Sequence, residues 1–181
     1  MARAGLPVRH GANLPAETAP TGTFAVVARS GSWWLTSTDH VVSDEVPAPA
    51  AEVRAFYCDL HNITKLHPLV VSVEDLQREE AADSYTQIYR VRDRIPFGRL
   101  TVGITYTARV HVPASGDVLT EARQFPRVRL HGQVSFAQVD GGTRLTERLR
   151  IEAPLPLAAM TAREAVKAHA EMLAGIRRCF Q

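Results

Sequence analysis

The residue whose setting most clearly asks for chemistry is Glu147. It stands between Leu145 and Leu149 in a stretch, residues 144–152, that reads in twos. Leu145, Glu147, Leu149 and Ile151 therefore share one face of a strand, and Arg144, Thr146, Arg148 and Arg150 share the other. A carboxylate on the inward face must be paired, neutralised, hydrated in a cavity or used by a ligand, because burying it bare is prohibitive. His169, on the apolar side of a helical stretch, is a second group able to exchange a proton near neutral pH. Tyr106, inward on another strand, could donate to a developing enolate while Glu147 or His169 serves as general base or acid. Gln87 and Tyr89, which share a face with Val91, add polar atoms that could meet the same space.

Each of these residues has a plainer reading. Glu147 could pair with a basic neighbour, or lie on the outer face if the register is shifted by one residue. His169 could be a partly solvated packing residue, and Tyr89 and Tyr106 could be core residues whose hydroxyls find backbone or water. Arg144, Arg148 and Arg150 form a solvated face in the simplest account.

The elements that must hold these groups follow from periodicity. Residues 36–46 are extended and stop at Pro47-Ala48-Pro49. Helical spacing of Val53, Phe56, Tyr57 and Leu60 predicts a helix over 50–59, and a second short helical turn over 61–66 ends at Pro68. Strands are predicted over 69–77, 85–93, 100–112, 118–125, 128–139 and 144–152. Arg78-Glu79-Glu80, Ile95-Pro96-Phe97-Gly98, Ala114-Ser115-Gly116-Asp117, Pro126 and Asp140-Gly141-Gly142 serve as turns. Short turns make neighbouring strands antiparallel. In residues 162–180 the apolar stripe Ala162, Val166, Leu173, Ile176 and Phe180 includes His169 and faces away from Arg163, Glu164, Lys167, Glu171, Arg177 and Arg178, which defines an amphipathic helix. The fold class is thus α+β: a curved antiparallel β-sheet of about seven strands wrapped around a long C-terminal helix, with two short helices after the first strand.

Composition narrows the function. A chain of 181 residues suits one domain with an extension. Residues 1–35, with Pro7, Pro15 and Pro20 and no sustained period, read as a flexible N-terminal extension, and 36–181 as the domain, onto which Trp33 or Trp34 is expected to pack. A net charge of +2 with 22% charged residues asks for no polyanion, so nucleic acid is not an expected partner. Cys58 and Cys179 lack metal or disulfide spacing and read as small buried apolar groups. No apolar run reaches the ~20 residues of a membrane span, and the start lacks the order of a secretory signal, which leaves the cytoplasm as the expected location. No glycine-rich phosphate loop or metal-ligand spacing is present, and no cofactor is expected.

Three motifs occur in a telling order: Val46-Pro47-Ala48-Pro49-Ala50-Ala51-Glu52-Val53 before the first helix, Leu66-His67-Pro68 after the second, and Asp140-Gly141-Gly142-Thr143-Arg144-Leu145-Thr146 in the last hairpin. With the element order, they make residues 36–180 resemble the START-related helix-grip (SRPBCC) superfamily, which includes polyketide cyclases and dehydrases and lipid-transport proteins. Leu66 stands where many relatives carry Trp. The resemblance implies a cavity between sheet and C-terminal helix for lipids, polyketides, quinones or similar molecules, and supplies no universal catalytic triad.

The expectation is therefore a module that binds or transports a hydrophobic small molecule. Its site would be drawn from Gln87, Tyr89, Val102, Ile104, Tyr106, Val134, Phe136, Glu147, Leu149, Met160, Val166, His169 and Leu173. The alternatives are a cyclase/dehydratase-type enzyme using Glu147, His169 and Tyr106, and a non-catalytic, co-chaperone-type interaction protein using an outer face. Neither oligomeric state nor ligand identity follows from the residues.

Overall fold

The computed structural model describes residues 34–181, so the reading of residues 1–33, Trp33 included, lies outside the described residues. Trp34 lies against the domain, its ring beneath the Arg127 guanidinium at 4.9 Å. The element order is β1 (Leu35–Val46), α1 (Ala50–Cys58), α2 (Leu60–Ile63), β2 (Val70–Ala81), β3 (Ser84–Phe97), β4 (Leu100–Pro113), β5 (Val118–Gln124), β6 (Val128–Val139), β7 (Gly142–Pro154) and α3 (Leu155–Cys179). All seven strands form one antiparallel sheet in the order β1-β7-β6-β5-β4-β3-β2. The architecture is the expected helix grip.

Several boundaries differ from expectation: Ile95-Pro96-Phe97 is not a turn but the end of β3, paired with residues 100–102 of β4, so that only Gly98 and Arg99 make the reversal. Arg78-Glu79-Glu80 is not a turn: β2 continues through it to Ala81 because a sheet-edge strand, exposed along most of its length, accepts charge at every position. Two register irregularities, near Val70–Ser72 and Asp75–Gln77, interrupt this edge. Helix α3 also begins seven residues before position 162. Pro154 caps it and Pro156 lies in its first turn, where a missing N–H costs nothing, so these prolines start the helix rather than merely precede it. The Leu155 N–H donates to Trp34 O at 2.8 Å and fixes the helix start to the start of β1.

Helix α3 packs mainly against β1 and β7. It buries Ala162, Ala168, Met172, Leu173, Gly175 and Ile176. Cys58 is buried as expected, but Cys179 is exposed because the last helical turn rotates it off the apolar stripe. Phe56 of α1 meets Phe180 edge-on at 5.4 Å, and Leu66 fills the notch that Gly175 leaves in α3, its Cβ 3.1 Å from where a glycine substituent would sit.

The Pro-Ala-Pro and Asp-Gly-Gly-Thr motifs meet in space. The buried Thr143 hydroxyl donates to Ala48 O at 2.7 Å, and Gln138 accepts from the Ala50 N–H at 3.2 Å. A Cβ at Gly142 would overlap Val46 O and come within 3.0 Å of Pro47 Cα. Those are backbone atoms that cannot swing away, so Gly142→Ala should lower stability by about 1–3 kcal/mol. An unchanged denaturation midpoint would show that the β6–β7 hairpin and the α1 entry are not locked together.

Candidate functional site

The inward face of the sheet carries polar side chains at defined register. Glu147 is fully buried on β7, between Val42 of β1 and Val134 of β6. Its Oε1 accepts a short hydrogen bond from the Tyr57 hydroxyl, and its Oε2 meets His169 Nδ1 at 2.6 Å. Three elements thus converge on one carboxylate. Tyr57 reaches it from α1, where it follows Val53 by one helical turn, and its ring packs edge-on against Phe136 at 5.7 Å. His169 reaches it from the inward side of α3.

A second pair lies on β3 and β4. Asp93 is 5% exposed, and its Oδ2 accepts from the Tyr106 hydroxyl at 3.0 Å. His67, in the loop after α2, completes the set, its ring edge-on to that of His169 at 5.4 Å.

The electrostatics of these groups differ in sign. Burial alone would depress His169, but the adjacent Glu147 carboxylate outweighs it and holds the imidazole above its ordinary value. Burial lowers His67 to about 3, with the nearby His169 charge adding to the effect, so His67 is neutral. Burial raises Asp93 from 3.8 to about 6, against the opposing hydrogen bond from Tyr106. Because the His67 value is depressed, the stability linked to it is fully present above the ordinary histidine value of ~6.5 and is lost as pH falls below that. In an NMR titration the His67 ring should keep neutral-form shifts down to about pH 4, while His169 still reports imidazolium above ~6.5. Two ordinary midpoints near 6.5 would contradict the arrangement.

Most of these groups border two adjoining hollows. One, of about 320 Å³, lies under the first half of α3 and is walled by apolar residues such as Ile95, Val102, Ile104, Leu130, Leu157 and Met160, with Asp93, Tyr106, His67, His169, Gln124, Thr161 and Glu164 as polar members. A smaller one, of about 110 Å³, lies beside α1 and α2 and includes Tyr57, Leu60, Ile63, Val91 and Met172. His67, Tyr106, Leu130 and His169 border both. A wider, more open depression of about 950 Å³ lies on the other face of the sheet, among His40, Arg109, His111, His131, Arg148 and Arg150. Asp93 and Tyr106 border the inner hollows and are not part of it, and Glu147 lines none of the three. The outward arginines Arg144 and Arg150 pair across the strands with Glu45 and Asp39.

The structure sorts the sequence candidates. Val102, Ile104, Tyr106, Met160 and His169 border the larger hollow, and Glu147 is joined to it through His169. Val134, Leu149 and Leu173 lie in the close-packed core instead, and Phe136 and Val166 pack at its margin. Gln87 and Tyr89 are buried away from both hollows, Gln87 donating to Asp75 at 3.2 Å and Tyr89 meeting the His61 ring at 6.1 Å. Strand parity says which face a residue takes but not whether that face is hollow. Tyr57, His67 and Asp93 are the members that sequence reasoning missed. Asp93 was within reach, since it continues the inward series Gln87, Tyr89, Val91.

A curved sheet gripping a long helix over a partly hollow interior, with a few buried ionisable groups on its wall, defines a helix-grip fold. The family model described as polyketide cyclase / dehydrase and lipid transport matches residues 37–179, and the chain belongs to that family. A search of curated proteins found no match. Among solved structures, TTHA0849 from Thermus thermophilus is 18% identical with a TM-score of 0.64, over 77% of this chain and 94% of that one. A START superfamily protein from Mycobacterium smegmatis is 16% identical with a TM-score of 0.58, over 78% and 96%. The di-domain ARO/CYC BexL is 16% identical with a TM-score of 0.63, over 80% of this chain and 50% of BexL, so this chain spans about half of that protein. At such identities the likeness is one of fold. No helix among the described residues is long and apolar enough to cross a membrane.

Proposed function

We propose that this protein binds a hydrophobic small molecule of the lipid, polyketide or quinone-like kind between α3 and the sheet, working in the cytoplasm. The observation that carries the reading is the 320 Å³ hollow, whose walls are mostly apolar with a minority of polar side chains among them. Its volume is roughly twice the ~150 Å³ that accepts benzene in an apolar protein cavity, which suits two or three fused rings or an equivalent chain. Burial of apolar surface at about 25 cal/mol per Å² supplies most of the affinity, and the polar groups set orientation. Native mass spectrometry of the protein purified from its own host should show a single retained organic molecule. A bare protein that also takes up no apolar probe would contradict the reading.

A second reading, a cyclase/dehydratase-type enzyme, is favoured by one feature. His169 is oriented through Nδ1 by a buried carboxylate that keeps it protonated, and it borders the hollow, the arrangement of a general acid with its positioning group. On this reading Glu147→Gln and His169→Ala fold but lose turnover on a poly-β-ketone substrate, and unchanged turnover in both removes it.

A further inference from the structure

Asp93 is a carboxylate on the cavity wall whose hydrogen bonding is incomplete. Its Oδ2 is held by Tyr106 at 3.0 Å, but Oδ1, sealed from solvent, has no partner among the described residues. A buried acceptor left in this state is costly. Its neighbours do not supply the missing bond. Tyr106 has committed its only O–H hydrogen to Oδ2, and His169 is committed through Nδ1 to Glu147. His67 Nδ1, on the same wall, is likewise sealed and unpartnered.

We propose that Asp93 is a ligand-recognition residue whose carboxylate accepts a hydrogen bond from an alcohol or phenol on an otherwise apolar, uncharged molecule seated in the cavity. Tyr106 is the positioning residue that aims the carboxylate. The inference rests on the cavity being a ligand site. It excludes fatty-acid carboxylates and phosphate headgroups from this end, since either would set like charge against Asp93; Glu164 on the same wall is already paired with Arg163 at 3.0 Å. A cationic end is disfavoured because the imidazolium of His169 already faces Asp93. The ionisable groups around Asp93 are Tyr106 from β4, His67 from the loop after α2, and His169 and Glu164 from α3. Asp93, raised by burial to about 6, is ionised and a strong acceptor above that pH, and becomes a donor below it.

The test uses the full chain and four probes sharing one bicyclic body: naphthalene, 2-naphthol, 2-methoxynaphthalene and 2-naphthoate, titrated by fluorescence or calorimetry. At about pH 7.5, 2-naphthol should bind roughly tenfold tighter than its methyl ether, as a hydrogen bond to a charged acceptor warrants, with 2-naphthoate weakest. The preference should fade at about pH 5, where Asp93 is protonated. In Asp93→Asn the amide oxygen must serve Tyr106, so the NH₂ turns to the cavity and the advantage of naphthol over the ether disappears. Equal binding of naphthol and ether by the wild type, or an undiminished preference in Asp93→Asn, overturns the assignment while leaving the cavity reading intact. Failure of all four probes, naphthalene included, removes the cavity reading and this inference with it.

Discussion

Replacing Glu147 by alanine should destabilise the protein by about 3–5 kcal/mol, the usual result of removing one partner from a buried charged pair. The substitution leaves the Tyr57 hydroxyl without its acceptor and the His169 imidazole without the carboxylate that holds its proton. Glu147→Gln should cost less, because an amide oxygen still accepts from Tyr57, but His169 should then lose its upward shift. The pH dependence has a fixed sign. A histidine raised in the folded state contributes stability that is fully present below its unfolded value of ~6.5 and is lost as pH rises through the folded value. The gap between wild type and Glu147→Ala should therefore narrow toward alkaline pH. Denaturant midpoints at several pH values measure this, and a gap that widens with pH would sink the pairing.

Asp93→Asn should act in the opposite direction. The folded value of Asp93 is about 6 against 3.8, so the stability linked to its protonated form is present below about 4 and lost as pH rises through 6. Above that pH the carboxylate is ionised in a place that disfavours ionisation. A shift of about two pH units corresponds to roughly 3 kcal/mol at most, and asparagine keeps the hydrogen bond from Tyr106 without the charge. The variant should be about 1–3 kcal/mol more stable than wild type at pH 7.5 and little different near pH 4. A loss of stability at pH 7.5 would mean that the carboxylate is satisfied in a way the geometry does not show. Stability gained by blunting a wall residue is what a functional site predicts.

Much of the architecture is legible in the residues because two periods separate cleanly. Val110 and Val112 alternate with Arg109 and His111 and are buried, and the stripe from Ala162 to Ile176 lies against the sheet. The inward placement of Glu147 between two leucines follows from parity alone. Its partners do not. Tyr57 is 90 positions away, and no local pattern tells which helix residue will reach a given strand position. His67 sits in a loop with no period. Asp93 obeys the strand period, but Arg92 and Arg94 on either side make it look like surface charge. The same limit explains why Val134 and Leu149 are packed while Ile104 borders empty space. A strand turns both kinds of residue inward, and only the position of α3 above them decides which is covered.

Among the described residues the sheet does not close on itself, and β1 and β2 are its edge strands. On β2 that edge is broken by the two irregularities and flanked by Glu74, Asp75, Glu79 and Glu80. An incoming extended segment would have to cover charged side chains and match a template irregular at two places. The rim that could recruit neighbouring chains into fibrils is therefore poorly suited to do so, and the molecule can keep an under-filled interior without inviting aggregation along this margin.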